Sequence, residues 1–249
     1  MLTLTRLALS VLFCSLMLAP ATSSASATTD IPWVWHSSAA PADAKQIGLL
    51  LDHLVISSTG IKLRRRMNRL VVAPGVQVTP VVHVQVDLAA TPVLGQQHTD
   101  AINKAMLAAA RRSSTGWIQL DFEAMESQKP YYLELVNGLK KSLPANIKLS
   151  VTTMAAWCSE PELLARIKAD EIVPMFFKMG SNASRYQDRL IYHPEQLAPQ
   201  CRDQAIGFSV QETPSSNVHQ RYQRRYWFND KNWHVDAVFM PSRPFFKGE

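Results

Sequence analysis

GWIQLDFEAM, residues 116–125, is the stretch that decides the fold. Trp117, Ile118, Leu120 and Phe122 are apolar, while Gln119, Asp121 and Glu123 recur at every second position. A period of two belongs to a strand, whose successive side chains point to opposite faces. Asp121 and Glu123 therefore share one face, one pleat apart. The flanking segments carry helical patterns, so helices cover the apolar face and the polar face points into a sheet interior or a barrel mouth. Carboxyl groups in such a place cost free energy unless they are paired or put to use.

Working outward, further strands are expected over residues 31–37 (IPWVWHS), 52–58 (DHLVISS), 78–88 (VTPVVHVQVDL), 147–154 (IKLSVTTM), 171–177 (EIVPMFF), 205–210 (AIGFSV) and 235–240 (VDAVFM). Helices are expected over 41–51, over 99–112 with Thr99 as cap, and from Lys129-Pro130 through 143. A helix capped by Ser159, a weaker one over 184–197, and one over 216–228 carrying Arg221, Arg224 and Arg225 follow. Residues 60–72 show no clear period and read as a hairpin or a short irregular excursion. Eight strands mostly separated by helices predict an α/β fold, a compact (β/α)8 TIM-like barrel that is irregular or incomplete around residues 60–75. An open doubly wound sheet is the alternative, but no G-x-G-x-x-G turn follows any strand.

The chain begins with Arg6, then an apolar run from Leu7 to Leu18, then Ala25-Ser26-Ala27. That order is the pattern of a cleaved signal peptide over residues 1–27. The apolar run is too short for a bilayer-spanning helix, and no stable membrane anchor is expected after cleavage. Residues 28–249 then form a single barrel domain, exported to the periplasm or secreted. The formal net charge of the full chain is +6, but the basic residues are scattered. Runs such as Arg64-Arg65-Arg66 read as solvated faces, and no nucleic-acid partner is expected. Cys158 and Cys201 are the cysteines outside the leader, and an even count in an oxidising compartment points to a disulfide, with two separate buried thiols as the alternative.

Glu123 falls at the carboxyl end of its strand, where barrel active sites sit. A protonated Glu123 could give its proton to a leaving glycosidic oxygen, and the like charge of Asp121 would help to keep it protonated. Many glycosidases place a second carboxylate about 5 to 9 Å away; Asp87 and Glu212, at other strand ends, are the candidates. The competing reading pairs Asp121 and Glu123 with Arg or Lys, or has them cap the next helix. Trp35, Trp117 and Trp157 are candidate stacking platforms for sugar rings, with core or rim packing as the alternative. His36, His53 and His83 fall on or near early strands, but without the spacing of a metal site, so neither a metal nor another cofactor is expected.

The stretch Gln119-Leu120-Asp121-Phe122-Glu123, followed by Leu133-Glu134-Leu135, LSVTTMAAW and DEIVPMFF, resembles the chitinase-like family-18 glycosidases. Those barrels carry D-x-x-D-x-D-x-E at the end of their fourth strand. The sequence is also similar to an uncharacterised secreted bacterial family with a glycosidase-like barrel. The resemblance implies a glycosidase scaffold with Glu123 and Asp121 as the catalytic pair. By position it brings Gln119 and Lys178 into the substrate-binding set, beside Trp157, Trp35, Asp87 and Glu212. The departures are Gln119 at the second aspartate, Gly116-Trp117 at the opening, and Phe177-Lys178 where the family has Tyr-Asp. The function so implied is hydrolysis of a polysaccharide or oligosaccharide. The alternative is non-catalytic carbohydrate binding or envelope interaction on a degenerate barrel.

Overall fold

A computed structural model describes residues 28–35, 39–64, 70, 72–87, 92–212, 214, 217–231 and 233. The strands are β1 (Thr29–Val34), β2 (Gln46–Ser57), β3 (Gly60–Arg64), β4 (Gln77–Val86), β5 (Trp117–Phe122), β6 (Lys148–Met154), β7 (Glu171–Met175), β8 (Ala205–Ser209) and β9 (Arg224–Phe228). All except β3 run parallel, and β1 pairs with both β2 and β9, which closes an eight-strand barrel. β3 folds back antiparallel on the second half of β2 as the hairpin expected near residue 60. The helices are α1 (Gln96–Ala110), α2 (Lys129–Ser142), α3 (Pro161–Ala165) and α4 (Ala183–Tyr192), which connect β4 through to β8 in turn.

Four expectations are corrected. Residues 46–51, expected to be helical, open β2 instead. After Gln46, IGLLL is a continuous apolar run, which is how a strand buried on both faces reads in a parallel barrel. Residues 224–228, also expected to be helical, form β9. Its RRYWF sequence turns Arg224, Tyr226 and Phe228 to the lumen and Arg225 and Trp227 to the shell, where both bind the Asp30 carboxylate. The eighth barrel strand is therefore β9, while residues 235–240 lie outside the described residues, as do His36 and the leader, 1–27. Finally, α1 starts at Gln96 after Gly95, so Thr99 is no cap; its hydroxyl bonds the Tyr131 hydroxyl at 3.1 Å. Likewise α3 follows Glu160 rather than Ser159 and is only five residues long.

Two apolar clusters lie on either side of the barrel wall. The outer one joins Ile118, Leu120 and Phe122 of β5 to Ile102 and Met106 of α1 and Leu133, Val136 and Leu139 of α2. The inner one fills the lumen with Ile31, Trp33, Val81, Val173, Ala205, Tyr226 and Phe228. Trp33 stacks on Tyr226 with ring centres 5.1 Å apart. Two glycines make room for it: a Cβ on Gly48 would stand 2.5 Å from Trp33 Cδ1, and one on Gly207 would stand 3.1 Å from Cη2.

The floor of the lumen is a polar network. Trp33 Nε1–H donates to Gln119 Oε1 at 2.7 Å, and Gln119 Nε2 donates to Ser150 Oγ at 3.0 Å. The Ser150 hydroxyl and the Tyr226 hydroxyl both donate to Glu171 Oε1 at 2.7 Å, and Arg224 Nε lies 2.6 Å from Glu171 Oε2. Networks of this kind rigidify a low-dielectric interior, where an unpaired group would be costly. The Cys158–Cys201 disulfide forms as expected and ties the segment after β6 to the turn before β8.

Candidate active site at the barrel mouth

The carboxyl ends of the strands meet above this filled lumen. β5 pairs with β4 in a register that sets His83 directly opposite Asp121. His83 Nδ1–H donates to Asp121 Oδ2 at 2.7 Å, and the Thr152 hydroxyl donates to Asp121 Oδ1 at 2.6 Å. Both oxygens of a buried carboxylate are thereby satisfied. Its partners are a histidine and a threonine rather than the arginine or lysine of the competing reading.

Glu123, one pleat above, is exposed at the mouth. Desolvation pushes its pKa up from 4.5 and the Asp121 charge pushes it further; the His83 and Lys178 cations pull the other way, and the net shift is upward. For His83, burial pulls the pKa down, but the charge and hydrogen bond of Asp121 and the charge of Glu123 push it up. The net result lies above the ordinary 6.5. The pair is thus suited to hold an imidazolium beside a carboxylate beneath a carboxyl group that retains its proton more readily than usual. Trp35 and His53 flank His83, with ring centres 4.6 and 4.7 Å away, and His53 Nε2 lies 3.1 Å from Gln85 Oε1.

Lys178 closes the other side. Its backbone adopts φ 52°, an uncommon left-handed value for a residue with a side chain. Its N–H donates to Glu212 Oε2 at 2.8 Å, and its Nζ lies 2.6 Å from Asp230 Oδ1 and 4.7 Å from the centre of the Phe228 ring. Lys178 thereby clamps the ends of β7, β8 and β9 together. Glu123, Lys178 and Asn182 are the polar members of a groove of about 380 Å³. Its remaining wall is Met154, Ala155, Ala156, Met175, Phe177, Met179 and Tyr186.

The predicted site residues thus divide. Glu123 and Lys178 line one groove, Asp121 lies beneath Glu123, Glu212 holds Lys178, and half-buried Trp35 packs over His83. Asp87 is exposed at the end of β4, and its N–H bonds Ile56 O at 2.8 Å. Gln119 is fully buried and belongs to the lumen floor, so it does not reach the groove. Trp157 is only 2% exposed and packs edge-on against Tyr132 in the outer shell, which corrects its reading as a platform. Trp117 stacks with Arg224 and Lys148 at the start of β5, the end opposite the mouth. His83, read from the sequence only among metal candidates, is the residue that reasoning missed as a partner of Asp121. Its signal was the polar face it shares with Gln85 and Asp87. Among the described residues, no group of three or more His, Cys, Asp or Glu is placed to hold a metal ion.

The arrangement of strands is similar to that of several solved structures. One of them is the spore cortex-lytic enzyme SleL of Bacillus cereus, similar with a TM-score of 0.48 and 13% sequence identity. The match covers 74% of this chain and 50% of that one, so the chain spans about half the length of that enzyme. No protein-family model matches the sequence, and no curated protein matches it.

Among the described residues, no helix is long and apolar enough to cross a membrane.

Proposed function

We propose that the protein is a secreted or periplasmic glycoside hydrolase acting on a saccharide chain, with Glu123 as general acid. The observation that carries this reading is the stacking of an exposed Glu123 above a buried, doubly bonded Asp121 at the carboxyl end of a barrel strand. In the reaction the bond between the anomeric carbon and the leaving oxygen breaks. Glu123 gives its proton to that oxygen, and water supplies the hydroxyl that joins the anomeric carbon. Desolvation and the Asp121 charge raise the Glu123 pKa, the direction a general acid needs. Asp121 is a positioning residue, since its burial keeps it from the substrate, and His83 and Thr152 hold it still. Export fits the leader pattern at residues 1–27 and the disulfide, which persists in oxidising compartments.

A second reading is favoured by one observation. Among the described residues that line the groove, Glu123 is the one acid, and Glu212 is engaged by the Lys178 backbone. A groove without a second carboxylate suits a carbohydrate-binding protein on a degenerate barrel. Incubating wild type and Glu123→Gln with a glycan panel, and measuring both product release and binding, tests the two together. Catalysis predicts a loss of turnover of about 10² to 10⁴ with binding retained. Binding by both proteins without product from either would establish the second reading.

A further inference from the structure

The groove beside Glu123 has an uneven chemistry. Its charged and amide-bearing residues are Glu123, Lys178 and Asn182, and the Lys178 ammonium is already paired with Asp230. The rest is three methionines, two alanines, a phenylalanine and a tyrosine. Met154 is 46% exposed although it ends a strand that is otherwise mostly buried, so the protein presents a large apolar side chain to solvent at the mouth itself. Phe177 stacks face to face on Phe228 with ring centres 5.3 Å apart, so one of its faces is already covered. Sugars are usually held by rigid aromatic faces and by many hydrogen-bonding groups; a wall of methionines offers neither. Methionine is flexible and polarizable and moulds itself around aliphatic chains. A volume of about 380 Å³ lies within the range that takes a small ligand.

We propose that this groove takes the aliphatic chain of the leaving alcohol, so that the substrate is a glycan joined through its glycosidic oxygen to a lipid-like alkyl group. The proposal rests on the hydrolase reading above for its chemistry, but the binding of the chain stands apart from it. The leaving oxygen lies against Glu123, the saccharide extends over the barrel mouth, and the alkyl chain runs along Met154, Met175 and Met179. Cleavage releases a free alcohol, protonated by Glu123, and a reducing sugar that carries the hydroxyl from water. Each methylene taken from water into the groove strengthens binding, so affinity climbs with chain length by about two- to fourfold per methylene.

The probes are methyl and n-octyl β-D-glucopyranoside, the latter kept below its micelle concentration, with the methionine methyl groups followed by NMR on the full chain. Signals are assigned through single Met→Leu variants. The octyl compound is expected to shift the Met154, Met175 and Met179 methyl signals saturably, while the methyl compound leaves them in place. Met154→Lys, at an exposed position that should leave the fold intact, is expected to weaken octyl binding by about tenfold or more. Equal responses to the two glucosides, or equal octyl affinity in Met154→Lys and wild type, would overturn the proposal. Glu123→Gln separates the two readings. If octyl binding survives in that variant and wild type turns over neither alkyl glycosides nor any member of the glycan panel, the apolar site stands and the hydrolase reading falls.

Discussion

His83 and Asp121 face each other across β4 and β5, joined by a 2.7 Å hydrogen bond beneath the barrel mouth. Neither is exposed by more than a few per cent, so the pair interacts in a medium of low dielectric, where charge is felt strongly. When His83 is protonated, this contact places a cation within the field of Glu123, and it gives the site a second titrating group.

The sign of its effect on stability follows from His83. Its folded pKa lies above 6.5, so its stabilising contribution is complete below that pH and is lost as pH rises through the folded value. Thermal unfolding midpoints of wild type should fall as pH rises above about 6.5, and His83→Gln should lack that part of the slope. Glu123, also raised, contributes a slope of the same sign that begins nearer 4.5, as does Asp52 from nearer 3.8, and both remain in the variant. Identical pH profiles for the two proteins would show that the pair does not form.

The same substitution acts on turnover. His83 pulls the Glu123 pKa down, so removing its charge should move the alkaline limb of the pH–rate profile to higher pH. Lys178→Met should move the limb in the same direction, since Lys178 also lowers Glu123. A limb that stays in place in both variants would mean that another group sets it.

The lumen floor should be sensitive to the loss of one charge. Arg224→Met leaves Glu171 buried with its ionic partner gone, and a broken buried pair costs about 3 to 5 kcal/mol. Urea unfolding of the variant against wild type measures this. A loss below about 1 kcal/mol would show that the Tyr226 and Ser150 hydroxyls suffice for Glu171.

Gly48→Ala drives a methyl group against the Trp33 ring, which has the filled lumen behind it. Overpacking of this kind costs about 1 to 3 kcal/mol. Trp33→Phe in the same chain should restore part of the loss, although it also removes the indole donor to Gln119. Unfolding midpoints of the single and double variants give the coupling directly.

Reduction of Cys158–Cys201 frees a loop of 43 residues of separation, for which chain entropy gives a loss of about 4 kcal/mol. Calorimetry with and without reductant reads it, and unchanged unfolding would show that the native packing around Leu164 and Leu197 sets the geometry without the bond.

Much of this was legible in the sequence. The alternation in β5 placed Asp121 and Glu123 on one face, and α1, α2 and the central strands fell close to where they were expected, because local periodicity records which face is buried. The errors fell where periodicity is silent. QIGLLL and RRYWF belong to strands enclosed on both sides or rich in aromatics, and their runs do not tell strand from helix. The same silence explains Trp157: its place after a strand end suggested the mouth, but the turn that follows carries it into the shell.

The chain alone determined that two acids share the inner face of one strand, since a pleat admits no other arrangement of alternate residues. Only the closed barrel decided what meets them. The pairing of β4 with β5 is a relation between segments 38 residues apart along the chain, and it brings His83 to Asp121. Closure through β1 and β9 likewise brings Trp33 to Gln119 and Arg224 to Glu171, because contacts between distant segments depend on register and closure, which no local pattern encodes.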